Sequence, residues 1–484
     1  MAVGRIPGAS ADPPVAPTTK DAPGPPKGPV TASQPGDPTA PRPGPEAASD
    51  VPADVTPTPS ATDTPQIEPA TPPKPIVGFE IRGDSKVKPR TLGYLAHVQL
   101  GDPVGPGDVP HLQQALLSSE LFKTVSVSLE DAPGGVTVVV TADDKHSWII
   151  APTAFILPGN TALGVGYAEN DLDGTDQKLL LYAQLGTKTS LLFGTFLNPA
   201  VHGTKLTYRF DLYSFRRQLD EYDNPANDHR SFAIARTTET TYIGGGALIG
   251  WNFLWWLAAD LRLRGAYVYF RDAQDTNGNK VALPEKDGWD FTLQAHLTVD
   301  RRHHRYGVTW GTYAQLDLEP SVPGIDSYGY QLLQSRVYHS WRLFGEHELE
   351  LRGHFSVGRH LPLHEELSIG GVSDLRGYDV DQFRGDLRAV ARAEYSIPLF
   401  KYRFLAFRAL GFYDTGFVGF YNQRPGDRAY LPNQLANTYR RNDVGGGLRV
   451  YLDNIVLPLV GFDIGYGIEG HSPEVYFEIG LTDF

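Results

Sequence analysis

The chain has no cysteine, and its one methionine is the first residue. Lack of cysteine excludes disulfide frameworks, thiolate zinc sites and cysteine nucleophiles. It suits an oxidising envelope compartment, where a free thiol is a liability, but simple rarity accounts for it equally well. Positive charge is in deficit: 43 Lys and Arg face 56 Asp and Glu, for a formal net charge of −13. No strong basic block offsets this, so nucleic acid is not an expected partner. Signatures of catalysis are missing as well. There is no GxSxG elbow, no P-loop, and no GxGxxG between a strand and a helix. The expectation is no enzymatic activity, no cofactor and no metal. The opening "MAVGRIPGASADPP" carries Arg5 but no apolar stretch of signal-peptide length. That leaves three readings: a start further upstream, a removed segment, or a protein that is not exported. Mean hydropathy is −0.28, a value of soluble proteins, but that test fails for a β-barrel, in which only alternate residues face lipid.

What is present is glycine, 51 residues, and aromatic residues at 11%. This pairing fits β structure with aromatic girdles better than membrane helices. The composition divides the chain into three. Residues 1–75 hold 21 of the 39 prolines and no Phe, Tyr or Trp. Such a segment buries too little apolar surface to offset chain entropy, and proline keeps it extended. A disordered, proline-rich tether is expected there. Residues 76–142 read as a small α+β domain. "IVGFEIRG" is a strand and "PRTLGYLAHV" a short helix. A second helix follows with Asp108 as N-cap and Pro110 in its first turn. "KTVSVSLED" and "VTVVVTADD" then form a hairpin. This order, with "SSELFKTVSV" linking the second helix to the second strand, resembles a POTRA domain. The resemblance implies docking of unfolded or extended polypeptide at an open sheet edge, where unpaired N–H and C=O groups await a partner.

From 147 to 484, period-two alternation recurs in about 16 segments of roughly ten residues, enough for a tilted strand to cross a bilayer. In "KLTYRFDL", Leu206, Tyr208, Phe210 and Leu212 share one face, and Thr207, Arg209 and Asp211 share the other. "ELELRGHFSV" and "LRAVARAEYSI" divide the same way. In a soluble sandwich the charged faces would meet water. So many long segments, with polar loops such as "DEYDNPANDHR", instead predict a transmembrane antiparallel β-barrel of about 16 strands. One uncharged run, Tyr242–Ala259, is long enough for a membrane helix, but its three consecutive glycines oppose that. Two strands joined by a turn at Trp251-Asn252-Phe253 are expected.

One stretch departs from this pattern. "SIGGVSDLRGYDVDQFRGD", Ser368 to Asp386, has neither helical nor strand period. With "LPLHEELSIGG" before it, and "RAEYSIP" and "LGFYDTGFVG" after it, it resembles the BamA/TamA family of outer-membrane assembly barrels, which includes two-partner secretion transporters. "TVDRRHHRYGVTWG" is similar to that family's Asp-Arg turn. The resemblance spans roughly residues 76–484. It implies a loop after strand 11 that folds back into the lumen and carries Arg376, Gly377 and Tyr378 at its tip. It further implies that Arg376 meets Asp414 on strand 13, near Glu394 on strand 12. Parity on the strands agrees: Asp414 aligns with Arg408, and Glu394 with Arg388 and Arg392, all lumenal.

The family's function would be insertion or translocation of polypeptides at the cell outer membrane, with the N-terminal region in the periplasm. Its partners would be outer-membrane lipid, unfolded or extended polypeptide substrates, and a periplasmic or inner-membrane protein. The barrel would open or thin between its first and last strands, near Trp148–Pro152 and Val475–Phe484. The alternative is a passive pore, or a structural envelope barrel with a plug-like loop. Two smaller features have bland readings. His360, His364 and Glu365 have metal-like spacing, but Pro362 argues against a helix, and His303-His304 read as a solvated turn. The terminal Phe484 is out of parity with Phe477 and Ile479, which a bulge near Thr482-Asp483 would correct.

Overall fold

The computed structural model describes residues 72–480 except 120, 224–231, 306–307, 404 and 453–457. Almost all of the proline-rich segment, most of the loop after Asp223, and the terminal Phe484 with its expected bulge therefore lie outside the described residues. So do the side chains of His303 and His304.

The N-terminal domain runs β1 (Lys74–Arg82), α1 (Pro89–Leu95), β2 (Pro103–Val104), α2 (Val109–Ser118), β3 (Phe122–Ala132) and β4 (Gly135–Asp144). Its sheet order is β2-β1-β4-β3, with β1 parallel to β4. Alternate residues Val136, Val138, Val140 and Ala142 of β4 are buried with Leu92 and Leu95 of α1 and Leu112 and Leu116 of α2. Proline starts α1 because its missing N–H is unpaired there in any case. Asp108 stands at the N-cap of α2 but does not cap it. Its carboxylate accepts from the Gly105 N–H at 2.9 Å, because a 3₁₀ turn over Pro106–Asp108 precedes the helix.

Sixteen strands then close into one antiparallel barrel. They are β5 (Trp148–Leu157), β6 (Asn160–Leu172), β7 (Gln177–Gly186), β8 (Thr189–Asn198), β9 (Leu206–Tyr222), β10 (Ile234–Leu254), β11 (Leu257–Asp275) and β12 (Gly288–Asp300). After a short β13 (His303–Arg305) come β14 (Val308–Pro320), β15 (Gln331–Leu343) and β16 (His347–Arg359). Inside the next loop lie β17 (Leu367–Ile369) and β18 (Phe383–Gly385), which pair only with each other. The wall finishes with β19 (Leu387–Tyr402), β20 (Leu405–Gly419), β21 (Thr438–Leu452), β22 (Pro458–Gly467) and β23 (Pro473–Ile479). The wall is uneven: β10 has 21 residues, whereas β5, β7, β8 and β22 have 10.

Alternation sorts the two faces. Leu212 is 74% exposed on the outer face of β9, and its neighbour Asp211 is 3% exposed within the lumen. Leu163, Leu185, Leu192, Ile243, Ile249, Leu261 and Leu293 also project outward. Exposed apolar surface on this scale marks a lipid-facing wall, since soluble monomers rarely carry it. Among the described residues no helix is long and apolar enough to cross a membrane.

The turn expected at Trp251-Asn252-Phe253 lies further on, at Trp255-Trp256, and the ladder continues to Leu254↔Leu257. Asn252 stays in the strand because its amide reaches Thr207 Oγ1 and the Pro199 carbonyl, at 3.1 and 3.3 Å. The Asp-Arg turn is also built: Arg302 binds Asp300 through two nitrogens at 3.0 and 2.7 Å.

Two joints complete the fold. At the near end of the barrel, the N-terminal domain sits on the β6–β7 turn. Lys88 N–H donates to the Gly174 carbonyl at 2.7 Å, and Lys88 pairs with Asp173. Any side chain at Gly174 would run into the Lys86 carbonyl. The barrel itself closes where β23 meets β5; among the described residues the pairs are Phe477↔Ile156, Glu478↔Phe155 and Ile479↔Ala154.

Candidate functional site

Residues 360–386 leave the far end of β16 and return to start β19. The β17–β18 hairpin stiffens this loop, and its tip lies between Gly370 and Gln382. A surface loop with solvated charges would be exposed, yet almost every residue from Leu361 to Arg376 is buried. Ile369, Leu375, Tyr378 and Phe383 pack against Val390 of β19 and Val418 of β20, so apolar contact seats the loop inside the barrel.

Arg376 is fully buried. Its Nε and one terminal nitrogen donate to the two oxygens of Asp414 at 2.9 and 3.1 Å, a fork matched to a carboxylate. The other terminal nitrogen donates to Glu394 Oε2 at 2.8 Å and approaches Asp463 Oδ2 at 3.4 Å. The guanidinium lies over the Phe412 ring, 3.3 Å from its centroid. Glu394 and Asp414 stand on β19 and β20, the twelfth and thirteenth wall strands, and Asp463 stands on β22, the fifteenth. One cation from the loop thus joins three strands of the wall, of which β22 adjoins the last strand, β23.

Gly377 and Tyr378 extend this contact. A Cβ on Gly377 would fall 2.6 Å from Asp443 Cβ and closer still to the Gly467 nitrogen, so only glycine lets the loop backbone lie against β21 and β22. The Tyr378 hydroxyl donates to Glu469 Oε2 at 2.5 Å and lies 3.1 Å from the Asn442 carbonyl. Tyr476 of β23 donates to the Tyr378 carbonyl at 2.8 Å, which ties the tip to the last strand.

Several partners were not singled out from the sequence. Asp463 is an isolated acid in "VGFDIGYG", with the parity of a lumenal residue, and that pattern could have flagged it. Its other partner, Arg449, binds it at 2.6 and 2.8 Å. Arg392 stands 3.4 Å from Asp414 and donates to the Ser373 carbonyl at 2.8 Å. Asp443, opposite Asp414 in register, is also buried.

The histidines of the loop approach have protein partners. His364 Nε2 and Asp290 Oδ2 are 3.2 Å apart, and His360 pairs with Asp427 at 3.1 Å. Asp290, His364 and Glu365 cluster closely enough to suggest a cation site. A terminal nitrogen of Arg264 sits among the carboxylates, 2.8 Å from Asp290, 3.1 Å from Glu319 and 3.3 Å from Glu365. A protein cation therefore already occupies the place a metal would take.

Comparison with known proteins agrees with this architecture. Residues 171–482 match the Omp85 superfamily domain. The fold is similar to BamA from Haemophilus ducreyi lacking POTRA domains 1–3, at 15% identity and a TM-score of 0.55, with 84% of each chain covered. It is also similar to CdiB from Escherichia coli, at 12% identity and a TM-score of 0.57, over 84% of this chain and 77% of that one. CdiB from Acinetobacter baumannii matches at 14% identity and a TM-score of 0.55, over 84% and 74%. No curated protein matches the chain in sequence. The structural likeness carries the fold, and the domain match spans well over half of the chain: this protein belongs to the Omp85 superfamily of BamA/TamA-type outer-membrane barrels.

Proposed function

We propose that this protein inserts polypeptides into the cell outer membrane or translocates them across it, with the N-terminal domain in the periplasm. The observation that carries this reading is a clamped loop whose tip is bonded to the last strand of the wall. The loop tip binds β19, β20 and β22 through Arg376, and β23, which closes on β5, through the Tyr378 carbonyl and Tyr476. A seam that parts between the first and last wall strands offers strand edges to an incoming polypeptide, and no nucleotide is needed if strand exchange and folding supply the free energy. Arg376, Gly377, Tyr378, Glu394 and Asp414 act as the lock that sets the seam's freedom to part. The N-terminal domain serves as a POTRA-like docking module. Its β3 forms one edge of the sheet and is 11 residues long, which suits addition of an extended substrate strand. A periplasmic or inner-membrane protein would deliver the substrate.

The test is assembly of substrate barrels in cells or liposomes with Arg376→Ala. Reduced assembly by a correctly folded variant is the expected result, and undiminished assembly would overturn the mechanism. One observation favours the alternative of a passive or structural barrel: the buried loop fills the lumen as a plug would. Planar-bilayer conductance with and without residues 359–386, read beside the assembly assay, separates the two. Conductance gained with no assembly activity in either form selects the plugged pore.

A further inference from the structure

The loop joining β20 to β21, residues 420–437, reaches across the far mouth of the barrel. These are the thirteenth and fourteenth wall strands, and the fifth and sixth, β9 and β10, lie half-way round the ring of sixteen. Arg428 makes the crossing. Its Nε and one terminal nitrogen hold both oxygens of Glu366 at 2.6 and 2.9 Å. The remaining nitrogen lies 2.9 Å from Glu221 at the end of β9. Arg236 of β10 binds the other oxygen of Glu221 at 2.6 Å and donates to the Ala429 carbonyl at 2.7 Å. All four charged side chains are buried. Backbone and amide bonds extend the span. Ala429 N–H donates to the Pro284 carbonyl at 2.9 Å, and Gln423 Nε2 donates to the Leu361 carbonyl at 2.6 Å. Asp386 accepts N–H groups from Tyr421, Asn422 and Gln423 at 2.6 to 3.0 Å, which fixes the start of the span.

We propose that Arg428 is a second lock on the lumen, separate from Arg376. It shares no residue with the tip cluster and fastens the root of the same loop, through Glu366, to the opposite wall. Releasing the tip alone leaves the far mouth barred, because the β20–β21 span stays pinned at Glu221. Releasing the root alone leaves the tip in place. A continuous path through the lumen needs both. This deepens the functional reading above, from which it takes the premise that the loop tip is a lock that can be released.

The test is single-channel conductance of the full chain in planar bilayers, with folding checked by heat-modifiable gel mobility. Arg376→Ala and Arg428→Ala each should stay close to the wild-type conductance. The double variant should exceed either by about tenfold or more, since coupled barriers are strongly non-additive. A cysteine pair, Pro284→Cys with Ala429→Cys, is clean in a chain that lacks cysteine. Added to the double variant and oxidised, it should restore low conductance, and reductant should reverse the effect. That reversal separates gating from damage to the fold. Arg376→Ala alone conducting as well as the double variant would overturn the second lock, as would a double variant no more conductive than wild type. Neither outcome touches the assembly assay, so this proposal and the functional reading fail separately.

Discussion

Arg376→Ala should detach the loop tip, and its cost follows from the contacts it removes. The side chain supplies a forked pair to Asp414, a bond to Glu394, and a cation over Phe412. Removing one partner of a buried ion pair costs about 3–5 kcal/mol, mostly because the remaining charge is left uncompensated. Two features place this case at the lower end. Asp414 retains Arg392 at 3.4 Å, and Glu394 is 22% exposed and regains some water. A loss of about 3 kcal/mol multiplies local opening by roughly 100 to 200. The amides of Gly371 and Tyr378 report it, because they are bonded within the tip, Gly371 to the Leu375 and Tyr378 carbonyls and Tyr378 to the Leu375 carbonyl. Hydrogen exchange in detergent or nanodiscs should show them about 100-fold faster, with the central barrel strands unchanged. Arg376→Lys keeps the charge but loses the fork, so it should fall between the two. Exchange at the tip within about threefold of wild type, in a barrel that still shows heat-modifiable mobility, would refute the clamp.

Other consequences are as specific. Gly377→Ala should expose the loop to protease much as Arg376→Ala does, because its Cβ meets backbone of β22 and Asp443 of β21. Gly353→Ala, where no atom lies within 4 Å of the new carbon, should leave protection unchanged. Burial, the largest influence, raises the Glu365 carboxyl above the ordinary carboxylate range despite Arg264, and Asp290 and Glu319 push the same way. A raised carboxyl favours the docked loop below its unfolded value near 4.3, and the benefit is lost as pH rises through the folded value. Protease cleavage at the loop root should therefore increase from about pH 5 to about pH 8, and Glu365→Gln should flatten that profile. A cysteine pair at the seam, Phe155→Cys with Glu478→Cys, joins residues paired in register. Oxidised, it should abolish substrate assembly, and reductant should restore it. Assembly that continues with the seam covalently closed would exclude passage between β5 and β23.

The sequence carried the barrel because each wall strand separates lipid from lumen, and this writes a two-residue period into nearly every segment. It carried the loop tip because "LRGY" and "FYDTG" are short, charged and out of period. It placed one turn wrongly, at Trp251–Phe253. Aromatic residues suit both a membrane-edge strand and its turn, and only the hydrogen bonds of Asn252 decide between them. Asp108 resembled a helix cap because its residue type is right, but a preceding 3₁₀ turn redirects its carboxylate. Arg428 left no local trace in "NQRPGDRAYLPN". Its partners come from β9 and the loop after β16, and only closure of the ring brings them together. Pairings between facing walls depend on circumference, which no periodicity records.

The uneven rim has a consequence for the bilayer itself. At about 3.3 Å per residue, the 21 residues of β10 extend about 69 Å, whereas the 10 residues of β22 or β5 extend about 33 Å before tilt. Thr237, Glu239 and Thr241 share the outer parity of Ile243, so the far part of β10 stands in water beyond a hydrocarbon layer about 30 Å deep, whereas tilt leaves the short flank nothing to spare, and each ångström of mismatch carries a fraction of a kcal/mol. On the short flank the two leaflets would be drawn together into a dimple that spreads into the surrounding lipid. Two dimples that merge deform less lipid than two kept apart, so any neighbour with a short hydrophobic belt is drawn toward this flank before it makes contact. A barrel of this shape would thus gather other proteins to the side that carries its seam.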